Sequence, residues 1–291
     1  MKCLNQVLSE RYALYNGDSC EIMVDIPDNS IHYSIFSPPF ADLYVYSNSE
    51  RDMGNCRSKS EFYEHFRFIV KELYRIMMSG RLVTFHCMNL PTSKQKDGFI
   101  GLTDFRGELI KLFQDCGFIY HSEVCIWKDP VIAMQRTKAL GLLHKQIKKD
   151  SSMCRQGIPD YLVTMRKPGE NPEKIIHTNE SFPVEIWQNY ASPVWMDIKP
   201  SNTLQRTSAR DEKDEKHICP LQLDVIRRGI NLWTNENDIV FTPFLGIGSE
   251  IYQALKMNRR GIGIELKESY YEQAVKNCKN VSIDSSLITI Y

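Results

Sequence analysis

Apolar positions along the first part of the chain follow two different periods. The segment 31–36 is rich in β-branched and aromatic residues and is followed by a double proline, which predicts a buried strand that ends there. Residues 61–78 carry apolar side chains at helical spacing, and we expect Gly80 to end that helix. The apolar run 82–86 then predicts a second buried strand.

The same alternation continues with a helix over 104–116, which Gly117 closes, and a strand over 119–127. Regular alternation returns near the C-terminal end of the sequence. There the pattern predicts, in order, a helix with Pro220 in its first turn, a strand, a helix, a strand and a helix, over 220–233, 238–244, 250–257, 261–265 and 269–279. Strands that alternate with helices predict an α/β fold with a doubly wound, mostly parallel sheet.

The region between these two parts has a different character. Residues 129–215 hold a basic stretch, the apolar run 161–166 and an irregular segment rich in Pro, Asn and Ser, and we interpret them as an insertion outside the core. Trp187 and Trp195 are expected to anchor it. The predicted organisation is one catalytic core in two halves, 1–128 and 216–291, with a target-recognition region over 129–215 between them.

Composition limits the class of protein. The chain has 291 residues, of which 42% are hydrophobic and 25% charged, which is typical of a globular protein with a sizeable core. Nine scattered cysteines form no C-x-x-C pair, and His86, His144 and His217 are too dispersed for a metal triad, so we expect no metal. The sequence shows no signal peptide and no apolar run long enough for a membrane helix, so we expect a soluble cytoplasmic protein.

Charge is balanced overall but not locally. The chain carries 36 basic and 36 acidic residues, yet the stretch 131–167 holds eight basic residues against two acids. This stretch is either a phosphate-binding surface for nucleic acid or a solvated lysine-rich face. The residues that we expect to bind DNA, if the first interpretation is right, are Arg136, Lys138, Lys145, Lys148, Lys149 and Arg155.

A glycine turn is the first motif with chemical meaning. In the segment 241–250, Gly246 and Gly248 stand between an apolar strand and a helix, where glycine allows a ligand to approach the backbone closely. The next strand ends in Glu265, at the position where nucleotide-binding α/β folds place a carboxylate that accepts the ribose hydroxyls. This order indicates a cofactor that contains adenosine.

The segment Ser37-Pro38-Pro39-Phe40 is the second motif, and it follows a predicted strand at the edge where open α/β sheets bind ligands. Consecutive prolines carry no amide hydrogen, so the nearby carbonyls and the serine hydroxyl are presented as acceptors that suit a substrate amine. The Phe40 ring can stack on a nucleobase. Taken alone, the segment also fits a proline turn that merely ends a strand.

Together these motifs resemble the amino-methyltransferases of DNA, in the permuted arrangement where the catalytic loop precedes the cofactor loop. The resemblance covers most of the chain. The stretches Asn16–Ser19 and Ile26–Ser30 look like the family's N-terminal part, beside the cofactor adenine, and the segment 215–220 resembles the part that lines the methionine end of the cofactor. It implies a class I, Rossmann-like methyltransferase fold that binds S-adenosyl-L-methionine and double-stranded DNA.

The resemblance also assigns residues. It implies that Ser37, Pro38, Pro39 and Phe40 form the catalytic loop around a flipped base. The residues that it assigns to the cofactor are Asp18, Ser19, Lys216, His217, Thr242, Pro243, Phe244, Gly246, Gly248, Ser249 and Glu265. This sequence departs from the family at two positions, because Thr242 stands where an acid is usual and Ile247 where a small polar residue is usual.

Serine at the head of the catalytic loop is typical of cytosine-N4 enzymes, whereas adenine-N6 enzymes more often carry Asp or Asn. We therefore expect N4 methylation of cytosine in a specific DNA sequence, with adenine N6 as the alternative. A methyltransferase for RNA, a protein amide or a small molecule, and a non-catalytic DNA-binding protein, also stay open. The sequence does not decide whether a restriction endonuclease accompanies the chain or whether the chain forms a homodimer.

Overall fold

The computed structural model describes residues 3–39, 56, 58–137, 139–205 and 220–284. Eleven strands are defined within these residues. They are β1 (Asn5–Leu8), β2 (Tyr12–Asn16), β3 (Ile31–Phe36), β4 (Met77–Cys87), β5 (Leu90–Pro91), β6 (Leu102–Thr103), β7 (Ile119–Ile126), β8 (Asp160–Arg166), β9 (Val194–Trp195), β10 (Ile239–Thr242) and β11 (Arg260–Glu265).

Nine of these strands form one sheet in the order β1-β2-β11-β10-β3-β4-β8-β7-β9, while β5 and β6 pair separately. The five strands from β2 to β4 in this order are parallel to one another. Strand β8 runs antiparallel to both of its neighbours, β4 and β7. The mostly parallel α/β sheet predicted from the sequence is confirmed.

The helices of the described residues cover both faces of this sheet. They are α1 (Ser19–Ile22), α2 (Lys59–Ile76), α3 (Lys94–Asp97), α4 (Phe105–Asp115), α5 (Pro130–Thr137), α6 (His144–Ile147), α7 (Val184–Tyr190), α8 (Leu223–Trp233), α9 (Ser249–Lys256) and α10 (Glu268–Asp284). Helices α2 and α4 pack on one face together with Phe36 and Phe85, and α8 packs on the other face with Tyr33, Ile35 and Val240. None of the helices in the described part of the chain is both long and apolar enough to cross a membrane.

The predicted role of Gly80 as a helix stop is wrong. Helix α2 ends at Ile76, because Met77 is already extended, with φ −66° and ψ 140°. Gly80 lies inside β4 with φ +72°, next to a register shift between β3 and β4. A Cβ at this position would lie 2.6 Å from the backbone nitrogen of Asn171, so the bulge needs glycine here.

The interpretation of the apolar run 161–166 as part of an insertion outside the core is also wrong. These residues belong to β8, which pairs with β4 and β7, and Val163 and Met165 are fully buried. Trp195 is buried as expected of an anchor, whereas Trp187 is 53% exposed. Pro220 lies before the first turn of α8 rather than in it, because that helix begins at Leu223.

Candidate active site

The predicted site residues follow strands whose carboxyl ends meet at one edge of the sheet. Strands β2, β11, β10 and β3 are neighbours and parallel, so the segments that follow them are brought side by side. Open α/β sheets bind their ligands at this edge. The fold therefore brings together the catalytic loop, the glycine turn, Glu265 and Asp18, as the sequence indicated.

The predicted catalytic loop, residues 37–40, begins directly after β3. Ser37 is half-buried and Pro38 is buried, while Phe40 lies outside the described residues. The Oγ atom of Ser37 lies 3.1 Å from Nδ1 of His86 in the neighbouring strand β4. The register explains this contact, because Phe36 is paired with Phe85 and the next residue of each strand is then adjacent.

Behind Ser37 lies a pair of side chains, His86 and Asp160, whose proximity the sequence did not indicate. The Nε2 atom of His86 lies 3.1 Å from Oδ2 of Asp160, the first residue of β8, and their side chains are 11% and 5% exposed. The Lys128 ammonium nitrogen lies 2.5 Å from the other carboxylate oxygen. Burial opposes the ionisation of Asp160, but His86 and then Lys128 outweigh this effect and hold the pKa of Asp160 below its usual value.

The glycine turn connects β10 to α9. Gly246 has φ +53° and Gly248, which caps α9, has φ +90°, both in the left-handed region that favours glycine. A Cβ built at Gly246 would meet nothing within 4 Å, so the turn faces open space where a ligand can approach the backbone. The Phe244 ring packs with its centroid 5.7 Å from that of Phe36, and this contact joins the turn to β3.

Glu265, at the end of β11, holds the glycine turn in place. Its Oε2 accepts a hydrogen bond of 2.7 Å from the Gly246 amide, and its Oε1 accepts one of 2.9 Å from the Lys267 amide. Each carboxylate oxygen has a second lone pair, so the group is also able to accept from a ribose hydroxyl. Glu265 thus fits an adenosine-containing cofactor and stabilises the turn beside it.

The turn after β2 contacts the same region. The Asp18 carboxylate caps α1 by accepting from the Cys20 amide at 2.9 Å. The Ser19 hydroxyl donates to the Pro243 carbonyl at 2.5 Å, so this serine ties the N-terminal turn to the glycine turn. The open space at Gly246 and these acceptors together fit a nucleoside cofactor.

The two departures from the family pattern are both buried. Thr242 is fully buried, and its hydroxyl accepts from the Phe244 amide at 3.3 Å. Ile247 is 2% exposed and packs on Tyr270.

Ser249, assigned to the cofactor by the resemblance, is 2% exposed. The predicted cofactor residues Lys216 and His217 lie outside the described residues.

The basic stretch divides into exposed and buried members. Arg155 is half-buried, and its guanidinium donates to the Gln156 carbonyl. Lys167 is buried, and its ammonium group donates to the Asn29 side chain and the Met77 carbonyl. It therefore does not belong to a phosphate-binding surface. Lys138 and the side chain of Arg136 lie outside the described residues. The predicted DNA-binding residues that stand exposed are Lys145, Lys148 and Lys149, in and just after α6.

One group within the described residues brings three ligand-type side chains together, at the opposite edge of the sheet. The ligand atoms of His32, Glu173 and Asp238 lie within 4.8 Å of one another. Arg81, which is fully buried, places a guanidinium nitrogen 3.1 Å from Asp238. Its positive charge disfavours a cation here, and the cluster is better described as an ion-pair network in which His32 and Asp238 are buried and Glu173 is exposed.

Known proteins share both this fold and this sequence pattern. The protein TTHA0409 of Thermus thermophilus, solved in complex with S-adenosyl-L-methionine, superimposes with a TM-score of 0.68 at 17% identity, over 94% of each chain. The PvuII DNA methyltransferase (cytosine-N4-specific) gives 0.64 at 15% identity, over 94% of this chain and 91% of the other. These similarities define the fold as that of an α/β methyltransferase.

Two sequence relatives are type II methyltransferases. The type II beta methyltransferase M.BslI of a Bacillus species is 24% identical over 90% of this chain, which spans only 27% of that protein's length. M.BglII of Bacillus subtilis is 23% identical over 90% of this chain and 67% of its own length.

The family model described as DNA methylase matches residues 31–276, and the chain belongs to this N6/N4 methylase family. It is a DNA methyltransferase that acts on exocyclic amines and uses S-adenosyl-L-methionine.

Proposed function

We propose that the protein methylates the N4 amine of a cytosine that is flipped out of duplex DNA. The observation that carries this proposal is the position of Ser37, whose hydroxyl lies at the end of β3 while the glycine turn follows the adjacent strand β10. A serine hydroxyl heads the catalytic loop where adenine-N6 enzymes more often have Asp or Asn. The similarity in fold to a cytosine-N4-specific enzyme agrees with this assignment.

Each part of the catalytic loop has a role in this proposal. The Ser37 hydroxyl and the Pro38 carbonyl accept hydrogen bonds from the amine, which localises its lone pair for attack on the methyl group. Pro39 keeps the loop extended and free of competing donors. Phe40 stacks on the base, worth about 1–3 kcal/mol by comparison with other base and aromatic contacts. The methyl donor supplies a sulfonium methyl group.

The proposed cofactor contacts follow the edge of the sheet. Glu265 accepts the ribose hydroxyls, and the turn with Gly246 and Gly248 lies against the cofactor. Asp18 and Ser19 line the adenine side. The other proposed contacts with the cofactor are those of Lys216, His217, Thr242, Pro243, Phe244 and Ser249.

DNA binding is proposed for the exposed part of the basic stretch. Lysines in and after α6 are solvent-exposed, so their ammonium groups are available to neutralise phosphates. Flipping a base out of the duplex costs a few kcal/mol, which stacking and phosphate contacts offset. The region 129–215 is proposed as the target-recognition region, apart from β8 and β9, which belong to the sheet.

Nucleoside analysis of the product tests the proposal. Plasmid DNA is methylated by the purified protein with S-adenosyl-L-methionine, digested to nucleosides and analysed by mass spectrometry, with a Ser37→Ala variant as control. We expect N4-methylcytosine in the wild-type reaction and much less with the variant. N6-methyladenine alone would overturn the base assignment, and the absence of any methylated base would overturn the reaction. Single-molecule sequencing of the same DNA gives the sequence context.

A further inference from the structure

Three strands place a serine, a histidine and an aspartate in one line behind the catalytic loop. In the sheet, β3, β4 and β8 are consecutive neighbours; Ser37 directly follows β3, His86 lies in β4 and Asp160 begins β8. Ser37 Oγ and His86 Nδ1 are 3.1 Å apart, and His86 Nε2 and Asp160 Oδ2 are also 3.1 Å apart. The two imidazole nitrogens therefore face different partners, one toward the catalytic loop and one toward the core.

The charge on Asp160 decides which imidazole nitrogen carries the hydrogen. The Lys128 ammonium nitrogen lies 2.5 Å from Asp160 Oδ1 and keeps this group a carboxylate near neutral pH, so Asp160 can only accept a hydrogen bond. When His86 is neutral, its single ring hydrogen then belongs on Nε2, which lies 3.1 Å from Asp160 Oδ2, because the negative charge of the carboxylate favours it there. This leaves Nδ1 as an acceptor for the Ser37 hydroxyl hydrogen. The lone pairs of Ser37 Oγ are left available to the substrate amine.

Methylation of an amine needs a proton acceptor. When the bond between nitrogen and the methyl carbon forms and the bond between that carbon and sulfur breaks, the base nitrogen becomes cationic and must lose one proton. Serine alone is a poor acceptor, because its protonated hydroxyl is a strong acid. A histidine that takes the serine proton as serine receives the amine proton solves this difficulty.

We propose that His86, oriented by Asp160, receives the proton of the substrate amine through the Ser37 hydroxyl. The amine proton moves to Ser37 Oγ while the hydroxyl proton moves to His86 Nδ1, so Ser37 ends unchanged and His86 becomes an imidazolium. The Asp160 carboxylate balances its charge, and the proton later leaves to solvent. This inference rests on the proposed function, since it needs an amine beside Ser37. His86 and Asp160 are positioning residues, because they act through Ser37.

A purely structural role explains the arrangement less well. Strands β4 and β8 are already paired over six residues on each strand, from Leu82 to Cys87 and from Arg166 to Tyr161, so the sheet does not depend on this contact. Burying a charged pair costs desolvation energy that such pairs often fail to recover in stability. The same two strands hold a neutral pair, Thr84 and Thr164, whose hydroxyl oxygens are 3.2 Å apart. That pair provides a matched control.

The first test measures methyl transfer in single-turnover reactions with enzyme in excess over DNA. In the His86→Asn variant the amide oxygen can still accept from Ser37 but cannot take the proton. We expect its rate to fall at least about 100-fold, as is typical when a general base is removed. The rate of the Asp160→Asn variant is expected to fall at least about tenfold, because an amide can donate as well as accept and therefore no longer selects one tautomer of His86. The control Thr164→Val should stay within about threefold of wild type.

Binding and spectroscopic measurements separate this role from a structural one. Affinities for DNA and for S-adenosyl-L-methionine should stay within about threefold in His86→Asn, since only proton transfer is affected. In the wild-type protein without ligands, nitrogen NMR of labelled histidine should show the hydrogen of His86 on Nε2, and Asp160→Asn should shift this tautomer. If His86→Asn does not fold, Asp160→Asn carries the same comparison of rate and tautomer.

The outcomes are distinct for the inference and for the proposed function. The inference is overturned if the His86→Asn variant transfers methyl groups about as fast as Thr164→Val, or if the wild-type His86 carries its hydrogen on Nδ1. In either case, methylation by the wild-type protein still upholds the proposed function. A wild-type protein that methylates no amine in DNA would overturn both.

Discussion

Glu250 makes the stability of the protein depend on pH. This carboxyl lies in the first turn of α9, directly after the glycine turn, and is 5% exposed. Burial raises the pKa of Glu250 to about 8 from its usual 4.5, the charge of Glu265 adds to the rise, and a backbone hydrogen bond opposes it. The group is therefore neutral in the folded protein at pH 7.

The sign of the effect follows from the protons bound in each state. Between pH 4.5 and about 8, the folded protein keeps a proton on Glu250 that the unfolded chain releases. Because the unfolded state binds fewer protons in this window, the free energy of unfolding falls as pH rises. At about 1.4 kcal/mol for each pH unit, the loss approaches about 5 kcal/mol above pH 8, an upper limit because the protein can relax around the charge. This is a large share of the roughly 5–15 kcal/mol that stabilises a typical protein.

The Glu250→Gln variant isolates this effect, because glutamine has a similar shape and does not ionise. Thermal unfolding followed by circular dichroism from pH 5 to pH 9 should give similar Tm values for the two proteins at pH 5. At pH 9 we expect the variant to melt about 10 °C above wild type. Glu272→Gln, at an exposed position on α10, is the matched control and should follow wild type at every pH. Wild-type and Glu250→Gln curves that stay parallel across this range would refute the reasoning.

Three further predictions concern the glycine turn, Glu265 and the basic stretch. Gly248→Ala forces a side chain into a residue with φ +90° and places its Cβ 3.1 Å from that of Ala274, so thermal unfolding should show a loss of about 1–3 kcal/mol, and an unchanged Tm would contradict this. Glu265→Gln removes a charged acceptor, and calorimetry should show about 10–100-fold weaker binding of S-adenosyl-L-methionine; equal affinity would exclude Glu265 as a cofactor contact. Neutralising three exposed lysines should lower the slope of log affinity for DNA against log salt by about 0.9 for each phosphate that the protein no longer neutralises, whereas an unchanged slope would place the DNA elsewhere. The lysines to be replaced by glutamine are Lys145, Lys148 and Lys149.

The elements that the sequence predicted well have their signals close together in the chain. Helix α4 begins after Asp104, whose carboxylate accepts from the Gly107 amide at 2.9 Å, and ends before Gly117 with φ +98°. The strand, glycine turn and strand that end at Glu265 are likewise local, and the structure has them within two residues of the predicted bounds. Caps, turns and periodicity are properties of neighbouring residues, so one sequence suffices to recognise them.

What the sequence did not predict depends on contacts between distant segments. The apolar pattern of β8 would be the same in the sheet or outside it. Only its pairing with β4 and β7 shows that the strand belongs to the sheet. His86 and Asp160 are far apart in the chain, and Asp160 stands in the sequence as one of two acids within a basic stretch. The position of His86 one residue before the end of a buried strand was the available signal. The register that sets it beside Ser37 appears only in the folded sheet.

Because Thr242 stands where the family usually has an acid, the proposed cofactor site at the glycine turn has fewer charged groups than is usual. The structure holds this turn by contacts within the protein, since Glu265 accepts from Gly246, Ser19 donates to Pro243, and the Asn277 side chain donates to the Ile247 carbonyl at 2.8 Å. A turn that is already ordered loses little conformational entropy when a ligand binds. This lower entropic cost offsets part of the missing charged interaction. If the proposed ribose contact is right, Glu265 would act on affinity twice, as an acceptor for the ribose and as the support of the turn. Replacement of Glu265 should therefore weaken binding more than replacement of Thr242 by valine, which removes one part-buried hydrogen bond from the Phe244 amide.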